Sequence, residues 1–86
     1  MNAIDRLLAD VNARRDAWWV SQPEHNGSIT ISRWLNKDTR QDVRIMLDGA
    51  RRVTCYSVWE NRRISIDCDN GRRQRLEDHL SVPVRQ

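Results

Sequence analysis

The sequence predicts an α+β domain in which an N-terminal amphipathic helix packs on a four-stranded antiparallel β-meander, with a short helix at the C-terminal end. Three observations carry that expectation. Apolar residues recur at helical spacing near the start, side chains alternate with a period near two from Ser28 to Cys68, and Leu76 and Leu80 stand one helical turn apart near the end.

The first element runs through Ile4, Leu7, Leu8 and Val11, with Trp18 one heptad after Val11 and with Asp5, Arg6, Asp10, Asn12 and Asp16 on the other side. Asn2 suits the N-cap. Asp5 sits where the positive end of the helix dipole favours an acid, and Arg14 and Arg15 fall towards the opposite end. Pro23, near Ser21, Asn26 and Gly27, limits the helix to about Val20, because proline disfavours helical geometry in the residue before it. Trp18 and Trp19 on such a helix point about 100° apart, so one belongs to the core and the other to its rim.

In the next element Ile29, Ile31 and Leu35 share one side and Ser28, Thr30, Ser32 and Trp34 the other, with Arg33 interrupting the apolar side. Asn36, Lys37, Asp38 and Thr39 form a turn, and Val43, Ile45 and Leu47 resume the period. An odd-length connection sets Ile31 opposite Ile45 and Ile29 opposite Leu47. An even one sets Ile31 against Arg44 and turns an apolar set into water, so the odd loop is expected.

Asp48-Gly49 signals a hairpin, since tight turns need a positive φ that these residues tolerate. The third strand, Val53 to Trp59, leaves its sidedness open, because Val53, Cys55 and Trp59 alternate with Tyr56 and Val58. Past the Glu60-Asn61-Arg62 turn, Ile64, Ile66 and Cys68 alternate with Arg63, Ser65 and Asp67. Asp69-Asn70-Gly71 then ends the sheet and caps the last helix, which Pro83 closes.

A competing reading makes Val43, Met46, Leu47 and Ala50 a helical stripe and the following hairpin the wing of a winged helix-turn-helix, with Arg40 and Arg44 towards the major groove. It fits poorly. The crossing of the two helices wants a small residue where Arg33 falls and a glycine-like turn where Lys37 falls, and Ser28 to Ser32 is rich in β-branched residues.

At 86 residues the chain reads as one domain, residues 1–86, too small for a deep, water-excluding active site. With 38% apolar and 31% charged residues it is too apolar for intrinsic disorder and too polar for a membrane span. Its start mixes acids among apolar residues rather than a basic stretch before an apolar one, so a cytoplasmic location is expected. The balance of 15 basic against 12 acidic residues describes a mixed surface, which makes net charge weak support for nucleic-acid binding. All basic residues but Lys37 are arginine, which suits bidentate contacts, although coding bias yields the same skew.

No grouping carries catalysis. Asp67, Asp69, Glu77 and Asp78 are the acidic grouping that suggests a metal-dependent nuclease, but the sole lysine to activate water, Lys37, lies at a distant turn, and Asp67 reads instead as a solvent-facing strand residue. His25 and His79 read as surface or edge histidines without a paired serine or cysteine nucleophile. Cys55 and Cys68 come opposite each other if Asn61-Arg62 forms the tip. Their spacing lacks the close ligand pair of structural zinc sites, so two reduced, partly buried thiols are expected, with no metal and no cofactor.

Trp34 stands on the side away from the expected core, beside Arg44, and an aromatic next to arginine is a usual composition for a binding hot spot. The expected function is therefore that of a small standalone, non-enzymatic binding protein, an inhibitor or adaptor of the phage or mobile-element kind. Its partner is expected to be a protein or nucleoprotein complex, with Trp34, Arg40, Arg44, Arg62 and Arg63 as contact residues. The alternative is a nucleic-acid-binding module, whereas a membrane or a small-molecule substrate is not expected.

Overall fold

The structure is a computed structural model and describes residues 3–13 and 18–82. Helix α1 spans Ala3–Ala13, followed by strands β1 (Trp19–His25), β2 (Ser28–Trp34), β3 (Arg40–Leu47), β4 (Val53–Glu60) and β5 (Arg63–Asp67), then helix α2 (Arg72–Ser81). The strands form one antiparallel sheet in sequence order, β1-β2-β3-β4-β5. The α+β class holds, with five strands in place of four. Residues 40–47 are strand, which removes the winged helix-turn-helix alternative.

The added strand is β1, in a region expected to finish the first helix and continue as a loop. It joins β2 through Asn26 (φ 52) and Gly27 (φ 76), a two-residue turn with both residues left-handed, the geometry that matches strand twist. Gly27 has a second reason to be glycine: a Cβ there would lie 2.9 Å from the Leu47 carbonyl oxygen. Strand β1 is mostly exposed, twice irregular in register, and contains Pro23, all compatible with an edge. Trp19 opens β1 and Trp18 immediately precedes it, so the two do not share a helix. Trp18 is buried, at 2% exposure, and Trp19 is exposed. The expectations for Asn2, Arg14, Arg15, Asp16 and Pro83, and for the side chains of Ile4 and Asn12, lie outside the described residues.

In the β2–β3 pair Ile29 faces Ile45 and Ile31 faces Val43. The five-residue connection is odd, as expected, but the register is displaced by two residues from the expected pairing, and both apolar sets still share a face. At the β3–β4 loop Asp48 rather than Gly49 makes the turn. Its Oδ1 accepts from the Ala50 and Arg52 amides, both at 2.9 Å, and Arg51 takes the left-handed conformation (φ 60). Arg51 also reaches Asp5 of α1 (2.9 Å) and Glu24 of β1 (2.6 Å), tying three elements together.

One face of the sheet carries the core. Ile29, Ile31, Val43, Ile45 and Tyr56 meet Leu7 and Val11 of α1 and Leu76 and Leu80 of α2. Both helices thus serve the same core, and α2 lies against β4. Each fully buried Ile or Leu side chain contributes about 1.5–3 kcal/mol through removal from water.

The interruption at Arg33 is resolved by burial with partners. Its guanidinium lies 4.5 Å from the Trp18 ring centroid, donates to Gln41 Oε1 (2.9 Å) and to the Val82 carbonyl (2.6 Å), and leaves the residue 5% exposed. His79 joins this cluster through Gln41 Oε1 at 3.1 Å and packs against Trp18. It is therefore half-buried within a polar network rather than a surface histidine. Burial, then the Arg33 charge, lowers its pKa, with Glu60 opposing.

Cys55 and Cys68 are opposed across β4 and β5, as the Asn61-Arg62 tip requires, but they are joined as a disulfide rather than held as thiols. Asp67 also departs from the solvent-facing position expected of it. It points to the helix side, where Arg75 donates to both carboxylate oxygens (2.6 and 3.0 Å) and fastens α2 to the hairpin. That guanidinium holds the Asp67 pKa at about 2.

Candidate functional site

The helices cover one face of the sheet, and the other is formed by alternate residues that the strand registers align in rows. One row crosses all five strands as Trp19, Ser32, Asp42, Trp59 and Ile64, and the next as Gln22, Thr30, Arg44, Ser57 and Ile66. Trp34 and Arg40 begin a further row at the end nearest the β2–β3 loop. Three of the four tryptophans therefore share the uncovered face.

Exposure makes this a surface rather than a second core. Trp34 is 55% exposed, Ile64 51% and Ile66 69%, and Trp19 and Trp59 also remain open. The Trp19 and Trp34 rings lie 6.1 Å apart between centroids and 32° apart in plane, a loose aromatic pair. Trp59 is oriented by its indole N–H, which donates to Ser57 Oγ at 2.8 Å.

Polar groups beneath the rings are fixed by one another. The Ser32 hydroxyl donates to Asp42 Oδ1 (2.5 Å) and lies 2.7 Å from Ser21 Oγ, while Arg40 forks onto Asp42 at 3.1 and 3.3 Å. Arg40 is thus matched by a carboxylate. Arg44 has no such partner among the described residues, and with Gln22, Thr30, Asp42 and Trp59 it lines an open depression of about 180 Å³. That hollow is too small for a drug-sized molecule, which needs roughly 300–1,000 Å³.

Of the residues expected at the site, Trp34, Arg40 and Arg44 come together on this face. Arg62 lies in the β4–β5 turn, and Arg63 projects from the other face of β5, opposite Glu60. Trp19, Trp59, Ile64 and Ile66 were not anticipated there. The alternation of Ile64 and Ile66 was visible, but its side depended on the turn, which places Trp59 beside Ile64.

Among the described residues no group of three His, Cys, Asp or Glu side chains is placed to hold a metal ion. The acidic residues that suggested a nuclease are dispersed: Asp67 pairs with Arg75, Glu77 with Arg73, and Asp78 accepts from Gln74. The His25 ring contacts Asn26, the His79 ring contacts Gln41, and neither imidazole has a serine or cysteine partner among the described residues. No helix among the described residues is long and apolar enough to cross a membrane. In comparison with known proteins, no family model matches the chain, and no curated protein or solved structure shows significant similarity to it.

Proposed function

We propose that this is a non-enzymatic binding protein that seats the uncovered sheet face on a protein or the protein part of a nucleoprotein complex, inhibiting or adapting it. The observation that supports this most is the gathering of Trp19, Trp34 and Trp59 on one exposed face that also carries Arg44. Trp and Arg dominate binding hot spots because they remove large areas from water while keeping a directed polar group. Rings already restrained, as Trp59 is by Ser57, lose little freedom on docking.

The electrostatics favour a protein over a nucleic acid. Arg40 is offset by Asp42, which leaves Arg44 as the uncompensated cation of the central rows, too little positive charge to follow a phosphate backbone. The nucleic-acid reading draws support from the Trp19–Trp34 pair as a stacking platform, and it requires binding that collapses as salt rises. The Cys55–Cys68 disulfide weighs against the cytoplasmic location expected from the sequence, since such bonds persist mainly in oxidising compartments.

The test is affinity capture from the native host with the wild type, Trp59→Ala and, as a control on α2 over the opposite face of the sheet, Arg73→Ala. A stoichiometric protein retained by the wild type and Arg73→Ala but lost with Trp59→Ala supports the reading. Capture unaffected by Trp59→Ala and Trp34→Ala together refutes it, and a nucleic acid released between low and high salt replaces it with the second reading.

A further inference from the structure

The two edges of the sheet differ in a way that bears on self-association. Strand β1 is blunted by Pro23, which offers no N–H, and by two register irregularities. Strand β5 has neither device: its register with β4 is regular from Arg63 to Asp67, and no described element pairs with its outer side. An edge of this kind presents backbone donors and acceptors ready for another strand.

The phase of its hydrogen bonding follows from Cys55 and Cys68. Their Cα atoms are 4.3 Å apart, the spacing of a non-hydrogen-bonded antiparallel pair, which is shorter than the roughly 5.5 Å of a hydrogen-bonded one. Alternation then makes Trp59–Ile64 and Ser57–Ile66 non-hydrogen-bonded pairs as well. The N–H and C=O groups of Ile64 and Ile66 therefore point away from β4, to the free edge.

We infer that β5 pairs with β5 of a second copy of this chain, antiparallel about a two-fold axis at Ser65, to make a continuous ten-stranded sheet. A two-fold axis normal to the sheet keeps both uncovered faces on one side and pairs only residues of equal parity. Centred on Ser65, it sets Ile64 against Ile66 of the copy on the uncovered face, where both outward-pointing backbone groups are used. On the other face it sets Arg63 against Asp67 of the copy. There Arg63 meets an Asp67 whose two oxygens already accept from Arg75, so the pairing is carried by the isoleucines and the backbone rather than by charge.

Neighbouring registers lose these gains. An axis at Ile64 faces Ile66 with Arg62, an axis at Arg63 opposes two like charges, and an axis at Ile66 faces Ile64 with Cys68. Of these, the Ser65 axis alone sets both isoleucines against isoleucines of the copy. It gathers four isoleucines that are more than half exposed in the single chain, flanked on either side by Trp59. This inference is independent of what binds the tryptophans, and it concerns the edge rather than the centre of the face.

Sedimentation equilibrium of the full chain tests it, with an expected mass of twice 10.2 kDa. Ile64→Lys with Ile66→Lys should yield a monomer with an unchanged circular-dichroism spectrum, weakening self-association by roughly a hundredfold or more through loss of the apolar pairs. Ser65→Cys should form an intermolecular disulfide at the axis, mapped by peptide mass spectrometry as Ser65-derived to Ser65-derived, because residues in such a pair sit close across the strands. This second variant leaves the isoleucines intact, so a folding defect in the lysine variant does not decide the matter. A monomeric wild type at millimolar concentration, a dimer indifferent to the lysines, or a Ser65→Cys protein that does not cross-link at that position each overturns the proposal.

Discussion

Replacing Ile45 by alanine and, separately, Trp34 by alanine distinguishes the covered face of the sheet from the uncovered one. Ile45 has no exposure and stands between Ile29 of β2 and Tyr56 of β4, under the helices. Ile45→Ala removes three buried carbons, which at about 0.8 kcal/mol each set a floor near 2.4 kcal/mol. The cavity left in a core that cannot fully collapse raises the loss towards about 5 kcal/mol. In a domain of this size each kcal/mol lowers the melting temperature by about 4–8 °C, so a fall of at least about 10 °C is expected. Trp34, although larger, is 55% exposed and meets chiefly Trp19, so Trp34→Ala should cost only about 0.5–1 kcal/mol. Urea unfolding followed by far-ultraviolet circular dichroism reads both without relying on tryptophan emission. If Trp34→Ala proves as damaging as Ile45→Ala, the face bearing the tryptophans is a core and the proposed surface does not exist.

Three further outcomes follow from the same packing. Asp67 has its pKa depressed from 3.8 to about 2 by Arg75, so its contribution to stability is complete above the ordinary value and is lost as pH falls through that window. Acid unfolding should lose this component in Asp67→Asn. His79 is held neutral by burial and by Arg33, so the folded state binds its proton less readily than the unfolded chain. Stability should decline as pH falls below 6.5, and His79→Gln should flatten that slope in melts taken across the range. Reduction of Cys55–Cys68, which closes a loop with a sequence separation of 13, should lower unfolding free energy by about 3 kcal/mol; a reduced protein melting with the oxidised one would contradict it.

Much of the architecture was legible because side-chain period reports directly on strand faces. Ile29 and Ile31 opposite Ser32 and Trp34, Val43 and Ile45 in step with them, and the leucine pair of α2 all behave as their spacing implies. Trp34 and Arg44 could be placed on one face because each alternates with the apolar set of its own strand and the odd β2–β3 connection aligns the two sets. Strand β1 was not legible, since an edge strand with little buried surface leaves no apolar alternation, and only Asn26-Gly27 marked the hairpin that holds it.

By itself, then, the sequence determined the class of fold, the sidedness of β2 and β3, and the opposition of Cys55 and Cys68. The tertiary structure decided which face of β4 and β5 the helices cover, because period-two alternation sets relative orientation within a strand while turns and registers set it between strands. With a two-residue connection at Asn61-Arg62, Ile64 and Ile66 stand beside Trp59 on the uncovered face and Asp67 turns inward to Arg75. The burial of Arg33 was likewise a tertiary outcome. A charge looks misplaced among apolar neighbours until Trp18, Gln41 and the Val82 carbonyl, distant in sequence, arrive to solvate it.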